Sequence, residues 1–474
     1  MKTIIRYIIS ALILSVAIFT DASAQQNLRT AYFLDGYTYN YKLNPAFEPE
    51  RQFVALPMLG NLGIGVESNM GLSTFLYPTS DGKLTTFLNK SVDDHQFLKS
   101  LKEVNRLNTS INENILAVGF RAGKAFHTVD LSFKADMAAS VPKDLFSYIK
   151  LGSAYGQESW DISRTGMKIH SRFELAYGYS RPIADWIRVG TRVKLLLGLV
   201  QANMLIDDMS VTMNSDKWSV ISHGKAEVSG PVTVGTVDGG KNIDLEKIDF
   251  DSGMSSYLSK PNIGFALDLG ASFDFLDYFT ASVSVLDFGF IGWNRTTTAV
   301  MPGGEWTFDG ISDDISAGAD VDNQLENLGK EFLDMFKMET TGVGVKRTNM
   351  LAATIHAGVE ARMPFYERLS FGLLATQRID GPYSWTEGRL SANIAPVNWL
   401  SVAGSYSISN FGSSLGGVLN IHLPVFNFYV GLDSFLPLMK VTPQLVPVNR
   451  LNTNLSMGIT FTFGKAIGRY RADK

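Results

Sequence analysis

The chain has 474 residues, with Lys+Arg 42 against Asp+Glu 46, six histidines and no cysteine. Near-balanced charge without a basic cluster argues against nucleic acid as a partner, and the absent cysteine excludes a disulfide framework, thiolate metal sites and a lipidated N-terminal Cys. Beyond the first 24 residues no run offers the 18 uninterrupted apolar residues of a membrane helix, so any membrane crossing must use strands.

In chain order, Lys2 and Arg6 precede an apolar run from Ile8 to Phe19, and Ala22-Ser23-Ala24 supplies the small residues of a cleavage site. This pattern predicts an exported protein with a cleaved signal over residues 1–24. Residues 25–50 are dense in Tyr32, Phe33, Tyr37, Tyr39 and Tyr41, which predicts packing rather than disorder. After a first strand near 52–67, Phe97, Leu101 and Val104 recur at helical intervals and predict a helix near 93–107. Further strands are expected near 112–121, 127–138, 169–181, 186–206, 261–275 and 278–290. The fifth, with Val189, Val193, Leu195 and Leu197 outward, is longer than a bilayer requires. Leu325, Leu328, Phe332, Met335 and Phe336 then mark a second helix in the loop 291–350. Strands near 350–363, 366–378, 385–395, 398–409, 414–423, 426–435 and 451–463 complete the series.

The strands alternate with period two. In Asn454–Lys465, Leu455, Met457, Ile459, Phe461 and Phe463 share one face, while Ser456, Gly458, Thr460 and Thr462 share the other. A polar face built from Ser, Gly and Asn suits a crowded barrel interior better than a sandwich exterior. Connections are of two kinds. Short turns adjoin Trp186, Tyr278, Tyr366, Trp399 or Phe426, where an aromatic girdle falls, and long connections span 207–259 and 291–350. The pattern predicts an all-β fold, a transmembrane antiparallel β-barrel of about fourteen strands with short helices in the outer loops. The barrel is expected over 51–463, with a periplasmic tail over 464–474.

Inward positions on the third to fifth strands supply Asp130, Lys134, Asp136, Arg172, Glu174, Arg188, Arg192 and Lys194, and the eighth adds His356, Glu360 and Arg362. Buried charges of both signs tend to lock into ion-pair networks because an unpaired one is costly; the alternative is a polar constriction that selects permeants. The last four strands contribute mainly Ser, Asn, Gly and Thr. A formal GxSxG at Gly412–Gly416 joins two alternating strands and lacks the strand-to-helix turn of a nucleophile elbow. No catalytic or metal motif is present, and neither enzymatic activity nor a cofactor is expected.

Fourteen strands, the Asn44-Pro45-Ala46-Phe47 motif ahead of the first of them, and helical insertions in the outer loops together resemble the FadL/TodX superfamily of outer-membrane hydrophobic-solute transporters. In overall look the chain also resembles Bacteroidetes outer-membrane barrels of the PorV type. The resemblance implies that residues 25–50 form an N-terminal hatch inside the barrel and that the helix around Leu325–Phe336 forms a greasy groove for solute. It implies a passive channel for hydrophobic or amphipathic small molecules, with outer-membrane lipid and the barrel-assembly machinery as partners. The alternative is a non-transporting scaffold of a secretion or surface complex, its protein partner unknown.

Overall fold

Alternation along each strand becomes alternation of outward and inward faces around a closed wall. The structure is a computed structural model, and it describes residues 27–56, 60–79, 84–151, 159–214, 217–231, 233–237, 242–249, 260–301, 338–435 and 450–467. Fourteen antiparallel strands form the barrel. They are β1 (Gln52–Ala55 and Asn61–Gly71), β2 (Val104–Ala122), β3 (Ala125–Pro142), β4 (Gly166–Ala184), β5 (Ile187–Asn214), β6 (Asn262–Phe275) and β7 (Phe279–Val300). Then follow β8 (Glu339–Met350 and Ala353–Met363), β9 (Tyr366–Ile379), β10 (Trp385–Val397), β11 (Leu400–Ser409), β12 (Gly412–His422), β13 (Phe426–Phe435) and β14 (Arg450–Phe463). Pairing of Gln52 with Phe463 and of Leu62 with Met457 closes β1 on β14, so the wall has no free edge. Among the described residues no helix is long and apolar enough to cross a membrane; a barrel crosses with its strands.

On β14, Met457, Phe461 and Phe463 are exposed while Asn454, Ser456 and Thr460 are buried inside. The same phase holds on β6, where Ile263, Phe265 and Leu269 point out and Asn262, Ala266 and Asp268 point in. The outward residues make an apolar belt of the kind that meets lipid. Ile459→Arg, near the middle of that belt, is therefore expected to cost about 2–4 kcal/mol in equilibrium unfolding from lipid vesicles, and the inward Thr460→Ser far less. Equal losses from the two would reverse the assignment of faces.

The outer ends differ from the sequence expectation. β2 starts at Val104 and β3 runs to Pro142, so the helix expected near 93–107 is confined to α1, Asp94–Ser100. Asp93 caps it by accepting from the Gln96 N–H at 2.7 Å; Leu101 is already extended, and Val104 and Asn105 pair with Pro142 and Val141. A ladder partner outweighs the helical spacing of Leu101 and Val104. Phe97 is fully buried and stacks on Phe87 at 4.4 Å. A second helix, α2 (Lys143–Leu151), follows β3 directly and buries Leu145 and Tyr148. The stretches 207–259 and 291–350, expected as loops, carry paired strands: β5 and β7 continue outward, and Lys217–Ser229 pairs with both. The helix expected around Leu325–Phe336 lies outside the described residues.

Candidate functional site: the filled lumen

Residues 28–46 thread the barrel interior without joining the ladder. Leu28, Tyr32, Leu34, Tyr37, Tyr39, Tyr41 and Leu43 are each at most 3 % exposed. They pack with Phe53, Phe126 and Tyr429 of the wall into one aromatic core. Two short 3₁₀ turns, Arg29–Ala31 and Thr38–Lys42, reverse the path inside this space.

The Asn-Pro-Ala motif sits where this segment meets β4 to β7. Asn44 Oδ1 accepts from the Ala46 N–H at 2.9 Å, closing a tight turn. Its amide nitrogen donates to the Ala271 and Val283 carbonyls at 3.3 and 3.2 Å. Ser284 donates to the Leu43 carbonyl at 2.8 Å and Ser180 to the Ala46 carbonyl at 3.1 Å. The backbone approaches so closely that a Cβ on Gly190 would lie 1.9 Å from the Pro45 oxygen, and one on Gly270 2.0 Å from Asn44 Oδ1. Glycine at these wall positions is a steric requirement. Phe47, partly buried, packs edge-on against Tyr32 at 5.1 Å.

The charged residues singled out on the third to fifth strands do converge. Tyr41 donates to Asp130 at 2.5 Å, and Arg192 bridges Asp130 and Asp268 at 2.9 Å each. Lys194 reaches Asp268 at 2.7 Å, Asp287 at 2.5 Å and Glu174 at 3.5 Å, while Lys134 pairs with Glu174 at 2.9 Å. Arg172 pairs with Asp136 at 3.3 Å, and Lys42, which also donates to Asn114, adds a cation from the N-terminal segment 3.5 Å from Asp130. Nearer the end of the barrel that carries the short turns, Arg188 pairs with Glu48 and Arg362 holds Asp35 through two nitrogens at 3.1 and 3.2 Å. Glu360 pairs with Arg362 at 3.4 Å. His356 is bonded to Thr376 Oγ1 at 3.0 Å and lies beside Tyr32, a buried histidine with neutral partners.

Two features escaped the sequence reading. Asp287 falls on the lipid face by period two, yet a bulge on β7 itself, where Leu286 and Asp287 together stand opposite Asp268, and a φ of 58° turn it inward. The clue is a phase slip, with Val283 outward before it and Phe288 and Phe290 outward after it. The charge is also not one-sided. Arg29 pairs with Glu67 at 2.9 Å, Glu387 at 3.1 Å and Asp433 at 3.6 Å, and Asp433 accepts from the Arg29 and Thr30 N–H groups at 2.8 and 2.6 Å. Arg389 makes a fork–fork pair with Glu387 at 2.9 and 3.1 Å. This second cluster, on β10 and β13, adds inward charge that the list from β3–β5 and β8 did not include.

Toward the outer end, the segment leaves a cleft of ≈ 690 Å³, measured with its open mouth, between Glu67, Asp136, Lys168, Arg172, Arg378 and Asp380. Its rim includes Tyr383, whose phenol burial pushes above its ordinary range and which donates to the Met204 carbonyl at 3.3 Å. Asn27 and Arg29 line an adjoining space sharing Asp136, Arg172 and Arg378. Among the described residues no group of three or more His, Asp or Glu is placed to hold a metal ion.

Solved barrels of similar outline include the Pseudomonas putida toluene transporter TodX (9% identity, 95% of this chain and 97% of that one, TM-score 0.39). The Ralstonia pickettii toluene transporter TbuX is similar at 8% identity, 94% and 96% coverage and a TM-score of 0.42. A Pseudomonas aeruginosa FadL homologue is similar at 12% identity, 94% and 100% coverage and 0.37. Likeness this distant carries no functional argument. No curated protein matches the chain. Residues 45–433, from Pro45 of the Asn-Pro-Ala turn to Asp433 of the second charge cluster, match the model of a family of unknown function (DUF5723), and the chain belongs to that family.

Proposed function

We propose that the protein is an outer-membrane channel for hydrophobic or amphipathic small molecules, with residues 27–49 as a hatch. The observation that carries this reading is the mode of attachment. The segment blocks the lumen through side-chain contacts and ion pairs, while every wall strand keeps its ladder partners without it. A stopper of this kind is removable in a way a wall strand is not. The cleft above it is the entry vestibule, and its mixed charges favour solutes carrying a polar group over bare hydrocarbons. In this reading export by the signal over 1–24 delivers the chain to the outer membrane of a Gram-negative bacterium, where the barrel-assembly machinery inserts it.

The depth of anchoring, with Arg29, Lys42 and Asp35 all ion-paired to the wall or to its inward charges, supports a second reading as a permanently closed scaffold of a surface or secretion complex. Planar-bilayer recordings separate the two. Deleting residues 27–49 is expected to leave a heat-modifiable barrel with raised single-channel conductance, and the intact chain is expected to admit an amphipathic dye into liposomes. A folded deletion variant with unchanged conductance removes the hatch, and an intact chain that admits no solute favours the scaffold.

A further inference from the structure

At the periplasmic end of the lumen, Ser401 on β11 is fully buried on the inward face. Its Oγ lies 2.9 Å from Nε2 of His422, the last residue of β12, and Nδ1 of His422 lies 2.9 Å from Oε2 of Glu50. A carboxylate only accepts, so Nδ1 carries the proton and Nε2 is left to accept from the serine hydroxyl. A hydroxyl on a base that is itself oriented by an acid is the arrangement of an activated nucleophile.

The surroundings extend the likeness. Ser401 pairs in register with Asn420, and His422 with Asn427, so the four share one inward patch across β11, β12 and β13. The amides of Asn420 and Asn427 donate to the peptide carbonyls of Asp35 and Gly36 at 3.4 and 2.8 Å. Gly36, at φ 77°, lies so close over the imidazole that a Cβ there would be 2.5 Å from the ring. Anchoring this turn requires the two amides; it does not require a serine hydrogen-bonded behind the imidazole.

We propose that Ser401, His422 and Glu50 form a latent acyl-transfer centre for carboxylic esters, covered by the Asp35–Gly36 turn. With the turn displaced, Ser401 Oγ bonds to the ester carbonyl carbon as its proton passes to Nε2, and the Asn420 and Asn427 amides donate to the carbonyl oxygen. The alkoxide leaves with the proton from Nε2 as the C–O bond breaks. Water then bonds to the acyl carbon as it gives a proton to Nε2, and as the Oγ–acyl bond breaks Nε2 returns that proton to Ser401 Oγ, releasing the carboxylic acid.

The test uses the full chain and Asp35→Asn, which weakens the paired contact with Arg362, treated with a fluorophosphonate probe and with p-nitrophenyl butyrate. The expected result is a Ser401 adduct found by mass spectrometry, about tenfold faster in Asp35→Asn than in wild type. Adding His422→Gln should slow it by about 100-fold or more, and Ser401→Ala should abolish it. Gly190→Leu, which dislodges the same segment from the opposite wall, supplies a second uncovered chain. Absence of the adduct from both uncovered chains, or an adduct indifferent to His422→Gln, overturns the proposal.

Discussion

Arg389→Met is expected to lower the unfolding free energy by about 3–5 kcal/mol, measured by urea titration in lipid vesicles. Arg389 is 1 % exposed, and methionine fills much of its volume, so the loss is electrostatic rather than a cavity effect. In the native chain Arg29 and Arg389 face Glu67, Glu387 and Asp433; without Arg389, three buried or half-buried carboxylates share one guanidinium. Thr30 Oγ1, Ser405 Oγ and the Asp433 carbonyl each lose a donor at 2.8, 2.7 and 3.0 Å. The double change Arg389→Met with Glu387→Gln removes the stranded charge along with its partner and should cost less than the two single changes added. A single-mutant loss below about 1 kcal/mol, the range of exposed pairs, would show that the cluster is hydrated and does not hold the segment.

Gly190→Leu should act on conductance with little effect on the wall. The residue keeps its ladder pairing to Ser180 and Gly270 whatever its side chain. A Cβ there, however, lies 1.9 Å from the Pro45 oxygen, inside any permitted contact, and the obstruction is backbone that no rotamer change relieves. The Asn44 turn must therefore leave its seat, taking with it the bonds to Ala271, Val283, Ser180 and Ser284. Single-channel conductance is expected to rise toward that of the 27–49 deletion. Gly388→Leu is the matched control, because nothing lies within 4 Å of a Cβ at that outward position. A Gly190→Leu barrel with the conductance of wild type would mean that the segment yields elsewhere without opening a path.

The barrel was legible because lipid and lumen impose opposite chemistries on alternate residues, as in Leu455–Phe463. That contrast fades beyond the apolar belt. Met204–Asn214 and Lys217–Ser229 pair as strands but carry no sustained alternation, so the outer extensions read as loops. The charge clusters were half visible. Asp130, Arg192 and Lys194 show themselves by being charged at inward positions, but their partner Lys42 belongs to a segment whose position no strand period reports. Arg29 meets Asp433 across a separation of 404 residues, a contact that exists only once the wall has closed. Ser401 and His422 were passed over for a similar reason: on a polar lumen face one serine looks like its neighbours, and Glu50 joins them from outside the strand pattern.

The seam between β1 and β14 has a consequence for the order of assembly. Its described ladder is in two pieces, Gln52–Val54 with Phe461–Phe463 and Leu62–Glu67 with Asn452–Met457. The residues that fill the interior run directly into β1, and β14 is the last strand synthesised. If the ring closed first, charged Arg29 and Lys42 would have to be drawn through a finished hoop. If the interior is furnished first, they meet Asp433 and Asp130 while one side is still open. Filling before sealing is the order that avoids this threading, and a circular permutant that moved residues 27–51 behind β14 would have to thread that segment into a barrel already shut.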